Sequence, residues 1–171
     1  MRANTPEIAK LPAASVLAVT TVGDPNTSAE KEVGALYGTA YGTKFKVFKP
    51  KKRVMEIGCL SAFWPDAHLK PKSKWTGIWN LEVSAFVKQS DLIQKDPKVR
   101  IKVAKRLKGT VAQILHIGMY SAEGPTVKKL HAFIKEQGYR MSGPHEEVYL
   151  TRPGVKNMKT LIRYRVTKAK K

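Results

Sequence analysis

The sequence predicts an α+β protein built on a duplicated module, and three observations carry that expectation. Hydrophobic residues make up 42% of the 171 residues, enough for a real core and against wholesale disorder. Apolar patterning switches between short β-branched runs and helical spacing. The order strand, glycine turn, helix, glycine also occurs twice: Val16–Val22 ends at Gly23 and a helix closes at Tyr41-Gly42, then Val111–Ile117 ends at Gly118 and a helix closes at Gly138-Tyr139. The glycine-to-glycine gaps are 19 and 20 residues. In a duplicated module of this kind a ligand site is expected between the copies, where sheet faces meet.

The elements follow in order. Residues 1–14, with Pro6 and Pro12, read as a flexible lead-in. Val16–Val22 is a strand ending in the turn cluster Gly23-Asp24-Pro25-Asn26, and Thr27 with Glu30 resembles a capping box. Val33, Leu36, Tyr37 and Ala40 give one helical face, with Gly42 as the stop. Lys44–Lys49 alternates lysine with apolar residues and reads as a half-exposed strand. Met55–Trp64 and Trp79–Val87 are further strands, and His68–Lys74 is a basic loop. Asp96-Pro97 opens a basic helix over 97–107, closed by Gly109. Val111–Ile117 is a strand, and Val127, Leu130, His131 and Ile134 define a second amphipathic helix over 126–137. Glu147–Leu150 and Thr160–Val166 close the fold, followed by a basic tail over 167–171. The modules are placed at about 15–90 and 110–166.

Charge is the outlying property. The chain carries 32 Lys and Arg against 13 Asp and Glu, a net charge of +19. Such a balance favours polyanionic partners. Between Lys44 and Lys108 there are 17 basic residues and five acids. No motif for reading bases is present, so nucleic-acid binding through this surface is expected to be non-specific. No apolar run reaches the ~18–20 residues that span a bilayer, and no secretory pattern follows Arg2, so a cytoplasmic location without membrane association is expected. Cys59 is the only cysteine; it excludes an intrachain disulfide and a cysteine-based zinc cage, and is expected to be buried filler. The histidines, at 68, 116, 131 and 145, show no metal-ligand spacing. No P-loop, dinucleotide fingerprint, nucleophile elbow or HExxH motif is present. Neither metal nor cofactor is expected.

Three ordered stretches carry a family resemblance across about Val16–Val166. The first is Val22-Gly23-Asp24-Pro25-Asn26 with Ala35-Leu36-Tyr37 and Ala40-Tyr41. The second is Ala112-Gln113-Ile114-Leu115-His116-Ile117-Gly118-Met119-Tyr120. The third is His145-Glu146-Glu147-Val148-Tyr149-Leu150 with Lys159-Thr160-Leu161-Ile162-Arg163. Together they resemble the GyrI-like small-molecule-binding family, related to the effector-binding domains of multidrug-responsive regulators. The resemblance implies two strand–helix–strand–strand modules forming an antiparallel sheet around a central pocket. It implies binding of hydrophobic, often cationic compounds between aromatic walls and a buried glutamate, here Glu147, with Tyr149 beside it. One branch hydrolyses strained cyclopropanoid compounds, which makes a hydrolase using Glu147 and Tyr149 the alternative function. A basic protein binding nucleic acid, or gyrase as the family's namesake does, is the third. The hydrolase branch carries a Leu-Glu-Gly-Leu-Trp-Trp-like run where this chain has Leu60-Ser61-Ala62-Phe63-Trp64, and two histidines before the glutamate where this chain has His145-Glu146. Serine in place of that first acid favours binding over hydrolysis.

Alternation along a strand puts Glu147 and Tyr149 on one face and Val148 and Leu150 on the other, the latter expected to pack against helices. Glu146 shares the second face and is expected at its edge or in solvent. A carboxylate buried among rings should have a raised pKa and can pair with a cation or act as acid or base. Trp64, Trp75, Trp79 and Phe63 are the candidate aromatic wall, joined by Tyr120 and, with a structural role as the competing reading, His116. His131 reads as packing, and His145 as a residue that holds a turn.

Overall fold

The computed structural model describes every residue except Met1, Pro25, Asn26, Ser28, His68, Lys170 and Lys171. Part of the expected turn after Gly23, one histidine and the end of the basic tail therefore lie outside the described residues. The chain divides into two units, Ala13–Leu107 and Met1–Pro12 with Lys108–Lys171. Among the described residues no helix is long and apolar enough to cross a membrane.

The Ala13–Leu107 unit contains β2 (Ala14–Val22), α1 (Glu30–Thr43), β3 (Ile57–Trp64), β4 (Thr76–Val83) and β5 (Lys102–Arg106). Its antiparallel strand order is β3-β4-β2-β5. Leu17, Val19, Leu81 and Val83 alternate inward along β2 and β4, and Leu36 and Ala40 bring α1 onto them. The other unit contains β1 (Glu7–Leu11), β6 (Gly109–Ile117), α2 (Gly124–Glu136), β7 (Tyr139–Met141), β8 (His145–Tyr149) and β9 (Lys159–Lys168). Its order is β1-β6-β9-β8, with β7 also on β9. Each unit thus repeats strand, helix, strand, strand with an extra edge strand paired to the first, and the second unit adds the short β7 on β9. The two helices lie where the glycine-bounded repeat predicts them.

Several local expectations are corrected. The lead-in is not flexible: Glu7–Leu11 pairs with β6, and the Asn4 amide donates to the Leu115 carbonyl at 2.9 Å. The stretch 97–107 is not a helix. Val99 and Ile101 are buried and Val103 half-buried, a period-two pattern that docks Lys102–Arg106 on the free edge of β2, where its backbone groups find partners. Lys44–Phe48 is a π-helical turn extending α1 past Gly42, because Phe48 gains an edge-to-face contact with Phe86 at 5.1 Å. The capping box at Thr27 is replaced by Ala29 as N-cap, without a side-chain bond. Thr167 and Lys168 belong to β9 rather than to a tail. Cys59 is exposed, not buried.

The tryptophans form a tight group around Gly77. Trp64 lies 6.0 Å from Trp75 and 5.4 Å from Trp79, ring centre to ring centre. Trp79 Nε1 donates to Thr21 Oγ1 at 3.0 Å. A Cβ on Gly77 would stand 2.7 Å from that hydroxyl and 2.9 Å from Trp64 and from Trp79 Nε1. Close approach, not backbone angle, requires glycine here. Gly77→Ala is expected to lower stability by about 1–3 kcal/mol, the usual range for overpacking, measured by urea unfolding. A change below about 0.5 kcal/mol, as for an ordinary surface substitution, would mean that the cluster shifts freely.

Candidate functional site

The face of β8 that carries Glu147 is set by its pairing with β9. Register places His145 next to the Tyr164 position, Glu147 opposite Ile162 and Tyr149 opposite Thr160. Ile162 and Tyr164 belong to the same buried cluster as Leu130 and Ile134 of α2. The helix therefore covers the Glu147 face, the reverse of the expectation that Val148 and Leu150 would meet it. Leu150 lies past the strand and is exposed, while Val148 is buried on the opposite face. Glu146 is corrected as well. It is only 2% exposed and lies 3.5 Å from the Arg163 guanidinium, its register partner.

On the helix-covered face the polar groups form a chain. His145 Nδ1 lies 2.8 Å from the Tyr164 hydroxyl, and its Nε2 lies 3.1 Å from Glu147 Oε1. With Nε2 protonated, the ring donates to the carboxylate and accepts from the tyrosine. The Tyr149 hydroxyl donates to Glu147 Oε2 at 2.9 Å. Both carboxylate oxygens are thus held by groups of the protein, and the side chain keeps 15% of its surface exposed. Tyr120 meets Tyr149 edge-to-face at 5.7 Å. His131 meets Tyr164 at 4.9 Å; burial, helped by His145, pushes the His131 pKa down.

The residue that sequence reasoning missed is Glu123. It is the N-cap of α2 yet makes no side-chain cap bond. It is 7% exposed, and its Oε1 is buried without a hydrogen-bond partner. Burial and then the neighbouring Glu147 charge push its pKa up to about 8. One polar atom each of Glu123, His145 and Glu147 lies within 4.8 Å of the other two, a grouping that could also hold a metal ion. Histidine spacing along the chain does not suggest it. An acid just before Gly124-Pro125 at a helix start was the available signal, but nothing local foretold its burial beside Glu147. Burial, then Glu147, raises the pKa of Tyr149 well above its usual value. The same causes push Tyr164 up to about 12, so both phenols stay protonated donors.

The turn between β6 and α2 brings Glu123 there. Gly118 has φ +145, in the region that favours glycine. His116, 5% exposed, places Nε2 3.2 Å from the Met119 carbonyl and Nδ1 3.0 Å from Thr126 Oγ1. It ties the strand end to the helix start, the structural role weighed for it from sequence. Among the expected site residues, Glu147, Tyr149 and Tyr120 are thus brought together. Phe63, Trp64, Trp75 and Trp79 belong to the Ala13–Leu107 unit, with Trp64 and Trp79 buried there and Phe63 half-buried opposite Ile78 on β4. Ser61 is buried on β3.

The chain belongs to the GyrI-like small-molecule-binding family, whose profile matches residues 4–166. Among solved structures it is similar to a hydrolase from Listeria innocua, at 25% identity, TM-score 0.82, over 98% of this chain and 94% of that one. An uncharacterised conserved protein from the same organism is similar at 27% identity, TM-score 0.82, over 96% and 93%. The C-terminal domain of EcmrR shares the fold at 13% identity, TM-score 0.70, over 96% and 98%. Comparison with curated proteins finds no match.

The protonated state of Glu123 makes a pH prediction. The unfolded side chain titrates near 4.5 and the folded one near 8. Between those values the folded protein keeps a proton that the unfolded chain has lost. This contribution to stability is therefore full below pH about 4.5, falls as pH rises to about 8, and is flat above, with a slope of at most about 1.4 kcal/mol per pH unit. Glu123→Gln should flatten that slope in chemical unfolding between pH 5 and 8, gaining on the parent protein as pH rises. Parallel pH profiles for the two proteins would place the titration elsewhere.

Proposed function

We propose that this domain binds a hydrophobic cation, with Glu147 as its counter-charge and Tyr120 and Tyr149 as walls. The observation that carries the reading is the way Glu147 is partnered. The chain has 32 Lys and Arg, yet among the described residues no ion pair joins any of them to Glu147; its partners are His145 and Tyr149. A carboxylate held by an imidazole and a phenol, rather than by a lysine or arginine, is open to an incoming cation, and the aromatic rings add apolar and cation–π attraction. Glu123 extends the reading. A cation entering beside it lowers its pKa, so binding should release a proton near neutral pH. Phe63, Trp64, Trp75 and Trp79 are proposed as further ligand contacts, on the family resemblance rather than on their packing.

A second reading is favoured by one specific observation. Glu123 offers an acid of its own: its carboxyl, with a pKa raised to about 8, has an oxygen within 4.8 Å of ligand atoms of both Glu147 and His145. A protonated acid beside a carboxylate is the pairing used for acid–base hydrolysis. In that role Glu147 takes a proton from water as its oxygen bonds to the electrophilic carbon of a strained ring. The ring bond breaks, its electron pair passes to the leaving atom, and Glu123 supplies the proton there. The similarity to a Listeria innocua hydrolase supports this reading.

A thermal-shift screen of matched cationic and neutral aromatic compounds, followed by calorimetry, separates the two. For binding alone, Glu147→Gln should cost cationic ligands about 1–3 kcal/mol and leave neutral analogues nearly unchanged. Calorimetry in buffers of different ionisation enthalpy should show proton release that Glu123→Gln abolishes. For hydrolysis, Glu123→Gln should cut turnover of a cyclopropanoid substrate by roughly 10²–10⁴ with little change in affinity. Cationic ligands that bind Glu147→Gln as well as the parent protein would overturn the counter-charge role.

A further inference from the structure

The Ala13–Leu107 unit carries a second candidate surface that uses none of these acids. Tyr37, Tyr41 and Phe45 follow one another at every fourth position along α1 and its π-helical extension. Their rings stack at 6.5 and 6.2 Å between centroids, with planes within 20° and 15°. Tyr41 is 46% and Phe45 51% exposed. Tyr41 and Phe45 line an open groove of about 480 Å³ with Gly38, Gly42, Lys46, Ile93 and Lys95. Two large rings left in water at one spot, beside an exposed Ile93, are a surface that calls for a partner.

The charge of the same surface defines that partner. From Lys44 to Arg53 the sequence reads KFKVFKPKKR and contains no acid. Among the described residues none of its cations enters an ion pair. Lys49 instead stands 5.5 Å over the Phe45 ring, and Arg53 stands 3.6 Å over Phe86. Nearby acids are already engaged: Asp96 with Lys31 at 3.5 Å and with the Lys98 amide, and Asp91 with the Lys88 amide. The result is a row of aromatic faces bordered by unneutralised lysines. Apolar docking alone would leave those lysines unused, and phosphate attraction alone would leave the exposed rings unused. A strand of unpaired bases uses both, because each nucleotide offers a flat ring and a phosphate.

We propose that the groove along Tyr41, Phe45, Lys46 and Lys95 binds single-stranded nucleic acid. Bases stack on the two rings, and phosphates lie along Lys46, Lys95 and the Lys49–Arg53 segment. Binding is independent of base sequence, since stacking and phosphate contacts carry no base-edge readout. The site is separate in its residues from the Glu147 cluster, so loss of one activity leaves the other.

The test is fluorescence anisotropy of a labelled oligothymidylate of about 20 nucleotides, titrated with the full chain from about 50 to 200 mM salt. Duplex of equal length, polyglutamate and phosphatidylserine vesicles serve as competitors. The single strand should be preferred over all three. Tyr41→Ala with Phe45→Ala should weaken it at least about tenfold at unchanged net charge and nearly unchanged salt slope. Lys46→Gln with Lys95→Gln should lower the slope by about 1.4, or about 0.7 per lost phosphate contact. Circular dichroism checks folding of each variant, and Phe45→Trp, which keeps a stacking ring, should retain affinity. Loss of affinity in Phe45→Trp equal to that of the alanine pair would overturn the proposal. So would a folded alanine pair that binds like the parent, equal binding of duplex and polyglutamate, or preference for the vesicles.

Discussion

Glu147 and Glu123 stand too close, and too far from water, to be ionised together at ordinary cost. That constraint organises the Lys108–Lys171 half of the chain. Burial raises the cost of ionising Glu123, and the neighbouring Glu147 raises it further. Glu123 answers it by holding a proton up to about pH 8. Glu147 has its oxygens held by His145 and Tyr149. The two groups are chemically alike but differ in partners: Glu123 Oε1 has no hydrogen-bond partner, while both oxygens of Glu147 do.

The surrounding structure serves that arrangement. Antiparallel pairing with β9 turns Glu147 toward α2 and Glu146 away from it, so the two adjacent glutamates meet opposite fates. Glu146 meets Arg163 in a buried ion pair, and Glu147 is left for His145 and Tyr149. Gly118 and the His116 bonds to Met119 and Thr126 then aim the start of α2 so that Glu123 reaches the same place. Leu130 and Ile134, fixed against Ile114 and Ile162, keep the helix seated. The site is thus assembled from a strand, a turn and a helix start, each held by ordinary packing.

Charge is divided in a way that the total of +19 conceals. In this basic protein Glu147 has His145 and Tyr149 as its partners. The excess of lysine is most concentrated from Lys44 to Arg53, beside exposed rings.

By itself the sequence determined the class of fold, the repeated strand–helix–strand–strand order and the positions of both helices. These rest on signals within a few residues: apolar periodicity and glycine stops. Val99, Ile101 and Val103 also carried a legible period of two, but the opening Asp96-Pro97 and the spread of lysines imitated a helix. Lys44–Phe48 imitated a strand by alternation until Phe48 found Phe86. Tertiary structure alone decided which face of β8 meets α2, that Glu146 is buried with Arg163, that the opening residues form a strand on β6, and that Glu123 joins Glu147. Each of these depends on partners distant in sequence, on β9, β6 or the turn after Gly118. Burial and its effect on a proton are properties of such neighbours, which no local pattern records.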